Sequence, residues 1–411
     1  MHIALVSQYY PPEMGAAAAR TREHARHWAD AGHDVTVVTG FPDYPDGVIP
    51  DEYRGDLLRW ETDEGVDVLR TWLYAARNAG FARRLLNYGS FTVSAALVGS
   101  AALDPPDVVV ATSPQLLVGL SGAALSLRFD SPFVLDIRDL WPKSAVDLGA
   151  LEHPIPIQIA ETIESNLYRF ADDVVIVSES FRDHVRERGV PDDRVHFVPN
   201  GIDPDFLEER EDVDVRSSYG FGDRFVVGYI GTHGMSQGLS TVLEAADRLR
   251  QRSDLSDVQF MFVGDGAEKP DLVEEAEERG LDQVEFVPIQ PREAIPSFYE
   301  ACDVCLVPLR DRPVFKTVLP SKMFEIMALG RPMVVAVGGE AERVVSEGEA
   351  GVCIPPESPG AMADAIEALH DDPERRKNLA ERAEAYVWEH FSRPVLADRY
   401  LEILQAARAR A

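Results

Sequence analysis

Two doubly wound parallel sheets, an α/β architecture of two similar halves, are what the sequence predicts, on three observations. Short Val- and Ile-rich runs such as "HIALVS" and "FVVGYIGT" alternate with helical patterns along the whole chain. Runs of this length without polar alternation belong to strands covered on both faces, the pattern of a parallel sheet. The alternation stops at a charged stretch, "LEEREDVDVRSSYGFGD", and then starts again. At 411 residues the chain accommodates two domains of ordinary size.

The first half opens with "HIALVS", a loop carrying Gly15, and a helix from about Ala17 to Ala31 stopped by Gly32. "DVTVVTG", "DVVVATS", "PFVLDIRD" and "DDVVIVSES" follow as apolar strands between helical patterns, and "VHFVPNGID" closes this half. The second half runs "FVVGYIGT", a helix from Ser240, "VQFMFVGDG", a helix from Pro270, "VEFVP", a helix over Ala294–Cys302, and "VCLVPL". The helix in "LPSKMFEIMALGRP", then "PMVVAV", "AGVCIPP" and a helix from Pro359 complete it. The expected domains are 1–205 and 206–385, facing across a cleft. A helical tail, 386–411, is expected to cross back to the first. In such folds ligands lie at the carboxyl ends of the strands.

Composition excludes several functions. A formal charge of −30, spread over the chain, disfavours nucleic acid. Few lysines among many acids suggest adaptation to concentrated salt, which screens self-repulsion. No apolar run reaches the roughly 18 residues of a membrane span. The start "MHIALVSQYYPPE" reads as a buried strand rather than a signal peptide, so the expected location is the cytoplasm. Cys302 and Cys305 form a C-x-x-C inside "YEACDVCLVPL". No second pair lies at ligand spacing, which favours a structural strand over zinc or redox chemistry. Residues 76–103 contain Arg77, Arg83 and Arg84 and no acid. They read either as a core helix with a basic end or as a patch contacting acceptor lipid and the inner face of the cell membrane.

Three stretches carry chemistry. In "GYIGTHGMSQGL" the glycines Gly231, Gly234 and Gly238 bracket a strand-to-helix turn that includes Thr232 and His233. Such turns let backbone N–H groups approach an anion. In "MFVGDGAEKPDL", Gly264 and Gly266 flank Asp265. The full dinucleotide fingerprint is missing, so this reads as contact with one nucleoside rather than with a nicotinamide. Leu319, Pro320, Ser321 and Lys322 stand at a helix N-terminus, where free N–H groups and a lysine can hold a diphosphate. Glu325 follows one turn later amid Met323, Phe324, Ile326 and Met327. A carboxylate beside a core needs a partner. Either its two oxygens accept the hydroxyls of a ribose, or it pairs with an arginine such as Arg331.

The segments "YYPPEMGAAAARTREHARHWADAGHDVTVVT", "VPNGID", "SKMFEIMALGRPMVVA" and "YVWEHFS" together resemble the retaining glycosyltransferases of family four, with the GT-B fold. The resemblance covers essentially the whole chain. "DIRDLWPKSAVDLG", "GTHGMSQGL" and "KTVLPSK" are most similar to the N-acetylfucosaminyltransferase-like branch that builds surface polysaccharides. The resemblance implies a nucleotide-sugar donor, UDP-linked and N-acetylated or deoxy, in the C-terminal half. It implies a polyprenyl- or dolichyl-linked saccharide acceptor in the N-terminal half, and no metal or other cofactor. Glu325 then matches the ribose-binding second glutamate of E-x7-E, Gly15 the glycine loop beside sugar and phosphates, and Ile289 the position whose backbone reads the base.

The departures are as informative. Thr317 stands where the first glutamate belongs, and Thr232 and Gln237 stand where a basic pair would hold the diphosphate. Arg138, followed by Asp139, replaces the usual histidine. Charge compensation for the leaving group then falls to Lys322, helped by Lys316 or Arg310, with Asp139 and Arg138 orienting sugar and acceptor. The alternatives are a nucleotide-sugar-binding protein without transfer activity and an epimerase of the same shape.

Overall fold

A computed structural model describes residues 1–13, 16–43, 47–76, 81–113, 115–147, 151–252 and 255–411. It divides into two compact units, 1–199 with 394–411, and 200–393. The expected boundaries at 205/206 and 385/386 fall elsewhere for a packing reason. The helix Pro373–His390 runs unbroken through 385 and buries Ala383 and Val387 in the core of the second unit.

The first unit holds β1 (His2–Val6), β2 (Asp34–Gly40), β3 (Leu58–Asp63), β4 (Val66–Thr71), β5 (Val108–Thr112), β6 (Phe133–Ile137), β7 (Asp173–Ile176) and β8 (Val195–Phe197). They form one sheet in the order β3-β4-β2-β1-β5-β6-β7-β8. All neighbours are parallel except β3 and β4, an edge hairpin absent from the sequence reading. Its turn residues Glu64 and Gly65 have φ of 48° and 85°, the paired positive values of a tight hairpin turn. Strands such as β5, buried at every residue, carry apolar side chains to both faces. Phe91, Ala95, Leu125 and Leu167 pack on one side. Trp28, Leu396, Tyr400 and Leu404 pack on the other, the last three from the helix Arg393–Arg410.

The second unit holds β9 (Phe225–Ile230), β10 (Val258–Val263), β11 (Val284–Val287), β12 (Val304–Pro308), β13 (Met333–Ala336) and β14 (Val352–Cys353). The sheet order is β11-β10-β9-β12-β13-β14, all parallel. Chain direction across the sheet reverses between β9 and β12, the switch point where open α/β sheets place ligands. Cys302 and Cys305 are free, buried thiols. A Cβ on Gly228 would come within 2.2 Å of Cys302 Sγ. The pair therefore serves close packing, as the structural reading of the C-x-x-C expected.

Candidate functional site

The second unit gathers its candidate residues just past the carboxyl ends of β9, β10 and β12. Gly231 follows β9 with φ of +143°, and Gly264 follows β10 with φ of +135°, a backbone region open to glycine. The two loops lie against each other: a Cβ on Gly264 would sit 2.1 Å from the Gly231 carbonyl oxygen, and one on Gly266 2.3 Å from that of His233. Backbone hydrogen bonds close the contact, from His233 N to Asp265 O at 2.8 Å and from Glu268 N to His233 O at 2.9 Å. Lys269 Nζ donates to the carbonyls of Gly264 and Val287, which fixes the end of β11 to the same place. Ile289, two residues on, is 73% exposed.

Over this platform stands the helix Ser321–Ala328. Its N-cap is Pro320, which offers no side-chain hydrogen bond, and its first turn has no acid. Its first N–H groups are therefore available to an anion. Lys322 Nζ lies 3.9 Å from the centroid of the Tyr229 ring and 2.6 Å from where a Gly231 Cβ would be. Tyr229 in turn donates its hydroxyl to Thr232 O at 2.6 Å. Among the described residues no carboxylate pairs with Lys322. Burial pulls its pKa down to about 7, against an opposing pull from Glu325. Glu325 accepts from Tyr299 Oη at 3.1 Å, and burial raises its pKa. Arg331 hydrogen-bonds Cys302 O instead, so the pairing of Glu325 with Arg331 is not formed.

Four residues around this helix bear on the charge available there. His233 is fully buried among Tyr229, Phe262 and Phe286. Burial, then Lys269 and Lys322, push its pKa down to about 4, so the ring is neutral near pH 7 and adds no charge. Thr317 donates its hydroxyl to Val314 O at 2.8 Å, closing the short helix Pro313–Thr317. Lys316 pairs with Asp311 at 3.2 Å. Arg310 crosses beneath the glycine turn: its N–H bonds Ser236 O, its stem meets Gly238, and its guanidinium reaches Glu268 at 3.3 Å.

In the first unit Arg138 and Asp139 follow β6. Arg138 N donates to Ser113 Oγ at 2.8 Å, and burial, then Arg20, lower its guanidinium pKa to about 10. Asp139 accepts from Ser144 Oγ at 2.8 Å; burial raises its pKa. It lines a small cavity with Ser113, Gln115, Ile137 and Trp141. Gly15 and Arg77 lie outside the described residues. Arg83 and Arg84 are exposed at the start of the helix Phe81–Ala102.

Residues 15–201 match the model of the glycosyl transferase 4-like domain, and residues 213–386 that of the group 1 glycosyl transferases. Over 382 residues the chain is 30% identical to WcaI of Escherichia coli (strain K12), named as a glycosyl transferase of colanic acid biosynthesis. The match spans 89% of this chain and 91% of that protein. The chain belongs to the GT4 family of GT-B glycosyltransferases. A second relative, the alpha-D-kanosaminyltransferase of Streptomyces kanamyceticus, is 32% identical over 55% of this chain and 58% of that protein. The fold matches that of HepE from Anabaena, solved in complex with UDP, at a TM-score of 0.69. There the identity is 19% over 99% of this chain and 100% of HepE. Sucrose-phosphate synthase from Thermosynechococcus elongatus gives 0.70 at 19% identity, with both chains fully covered.

In this glycosyltransferase the structure brings Gly231, Thr232, His233, Gly264, Asp265, Gly266 and Lys322 into one cluster. Glu325 lies one helical turn further in. Thr317, Leu319, Pro320 and Ser321 form the approach to that helix. A second polar cluster was missed in the sequence. Past β1 and β2, Gln8 Nε2 donates to Asn87 Oδ1 at 2.6 Å and Asn87 Nδ2 to Asp43 Oδ2 at 2.9 Å. Asp43 N donates to Glu13 Oε1 at 2.9 Å. Burial raises the Asp43 pKa to about 6. These four residues come from three distant segments, Gln8 with Glu13, Asp43, and Asn87, and no spacing links the three. The one available signal was an asparagine, Asn87, inside an apolar helix.

Proposed function

We propose that this glycosyltransferase transfers an N-acetylated or deoxy hexose from a UDP-linked donor to a polyprenyl- or dolichyl-linked saccharide, with retention at the anomeric carbon, in surface-polysaccharide or glycoprotein-glycan assembly. The observation that carries the donor assignment is Lys322, held over Gly231 and Tyr229 at the uncapped N-terminus of the helix Ser321–Ala328. A diphosphate placed there meets a cation, free N–H groups and a close backbone approach at the switch point of the sheet. Glu325, one turn further and partnered by Tyr299, has an oxygen for each of two ribose hydroxyls. The backbone near Ile289 contacts the base. The UDP bound by HepE supports the choice of base.

In the proposed step the bond between the anomeric carbon and the phosphate oxygen breaks as the acceptor oxygen bonds to the same face. The acceptor hydroxyl proton passes to the departing phosphate. Negative charge grows on that phosphate, and stabilising it is the main catalytic task. Lys322 and the helix N–H groups carry it, and the reaction is proposed to need no metal. Arg138 and Asp139 orient sugar and acceptor. The Asp43–Asn87–Gln8 cluster supplies further hydrogen bonds to acceptor hydroxyls. Thr317 in place of a glutamate suits a sugar with fewer hydroxyls than glucose at that contact. Adaptation to concentrated salt belongs to the same reading, on the −30 charge.

Calorimetric titration of UDP, GDP and ADP in molar KCl tests the donor site. UDP should bind selectively, and Lys322→Ala and Glu325→Ala should each weaken it by tenfold or more, as loss of a charge-assisted contact implies. Binding indifferent to both substitutions moves the donor site elsewhere. Transfer from UDP-glucose in preference to a UDP-N-acetyl-deoxyhexose would sink the sugar assignment.

A further inference from the structure

The helix Phe81–Ala102 has two apolar faces. Phe91 and Ala95 are wholly buried against the first sheet. On the opposite side Leu86 is 60% exposed, Val93 58% and Leu97 68%. At i, i+7 and i+11 these three form one stripe along the helix. The helix Val118–Phe129 packs beside it, close enough that a Cβ on Gly99 would meet Leu125 at 3.0 Å. That helix exposes Leu127 by 71% and Leu120 by 39%. Both helices feed the same core cluster, so both cover one face of the sheet and both exposed stripes point away from it. Isolated exposed leucines are ordinary; stripes on two neighbouring helices mark an interaction surface.

The charge of this surface is the reverse of the rest of the protein. Between Trp72 and Phe129 the only acids are Asp104 and Asp107, in a chain with 70 acids. Arg83, Arg84 and Arg128 are exposed, and among the described residues none of the three has a carboxylate partner. Arg128 lies 5.1 Å over the Phe129 ring, and Arg84 6.0 Å over that of Tyr88. Trp72 and Tyr74, in the segment before the first helix, are about two-fifths exposed. Amphipathic rings of this kind favour a lipid–water boundary.

We propose that the exposed faces of these two helices dock on an anionic lipid bilayer, with the leucines at the acyl boundary and the arginines at lipid phosphates. The proposal rests on the reading of a lipid-linked acceptor and names the surface that carries the enzyme to it. A second copy of the chain fits less well, because an isologous pair would set the arginines of one copy against those of the other.

Flotation with vesicles of equal phosphatidylcholine and phosphatidylglycerol, and of phosphatidylcholine alone, tests it in 0.1 M and 2 M KCl. The wild type should float with the anionic vesicles. Arg83→Gln/Arg84→Gln should weaken that binding about thirtyfold at 0.1 M, at roughly 1 kcal/mol per basic residue, and far less at 2 M, where the Debye length is about 3 Å or less. Leu86→Glu/Leu97→Glu should abolish flotation at both salts, with UDP affinity and thermal midpoint unchanged. The surface assignment is overturned if the wild type stays unbound in every condition, if the leucine variant floats like wild type, or if light scattering shows a dimer that the leucine variant dissociates. Absence of UDP binding by the wild type would instead overturn the UDP-donor assignment and leave the surface standing.

Discussion

At the residue scale the informative quantity is the state of Lys322. Its pKa near 7 comes from burial, so its depressed pKa in the free protein disfavours the charged form. A bound diphosphate restores that charge. Between pH 7 and the ordinary lysine value, UDP binding should therefore take up close to one proton. Affinity should fall as pH rises from 7 to 9, by at most about tenfold per pH unit for one linked proton. Titrations in two buffers of different ionisation enthalpy measure the uptake, and Lys322→Gln should abolish it. The linkage to folding has the opposite sense. Above pH 7 the unfolded chain binds this proton more readily than the folded one, so the lysine's penalty on stability fades as pH rises towards 10.5. Gly264→Ala probes the neighbouring contact. The new Cβ would stand 2.1 Å from Gly231 O at a positive φ, which should cost about 1–3 kcal/mol and show as a lower thermal midpoint.

At the element scale, two helices were readable in different degrees. The helix Ser321–Ala328 announces itself by Pro-Ser-Lys before an apolar run and Gly-Arg-Pro after it. What sequence could not say is that its lysine turns towards β9, which lies beside β12 only through the crossover order of the sheet. The last helix, Arg393–Arg410, reads in sequence as a tail expected to cross back to the first half, without a sign of what it meets; it buries Leu396, Tyr400 and Leu404 in the core of the first unit. Trp28 Nε1 donates to Ala397 O at 3.2 Å, and Tyr400 meets Trp28 edge-on at 5.2 Å. Tyr400→Ala should destabilise the first unit by about 3–5 kcal/mol, as large-to-small aromatic substitutions in cores do. Calorimetric melting should show the effect in that unit's transition.

For the whole molecule, charge is the governing property. A chain with 70 acids against 40 basic side chains repels itself in dilute buffer, and salt screens that repulsion. The thermal midpoint should rise as KCl goes from 0.1 M to 2 M. An unchanged midpoint across that range removes the halophilic reading.

Sequence by itself determined the class of fold, the two alternating halves, the family resemblance and the residue types of the cluster around Lys322. It could do so because strand and helix periodicity, glycine turns and helix signals are local properties, written in neighbouring residues. Tertiary structure alone decided which of those residues meet. Crossover order put Lys322 against Tyr229, burial made His233 neutral and gave Lys322 a pKa near neutrality, and packing assembled Gln8, Asp43 and Asn87 from three distant segments. It also decided that Glu325 answers to Tyr299 rather than Arg331. Partner choice and desolvation depend on distances in space, and no short stretch of sequence contains them.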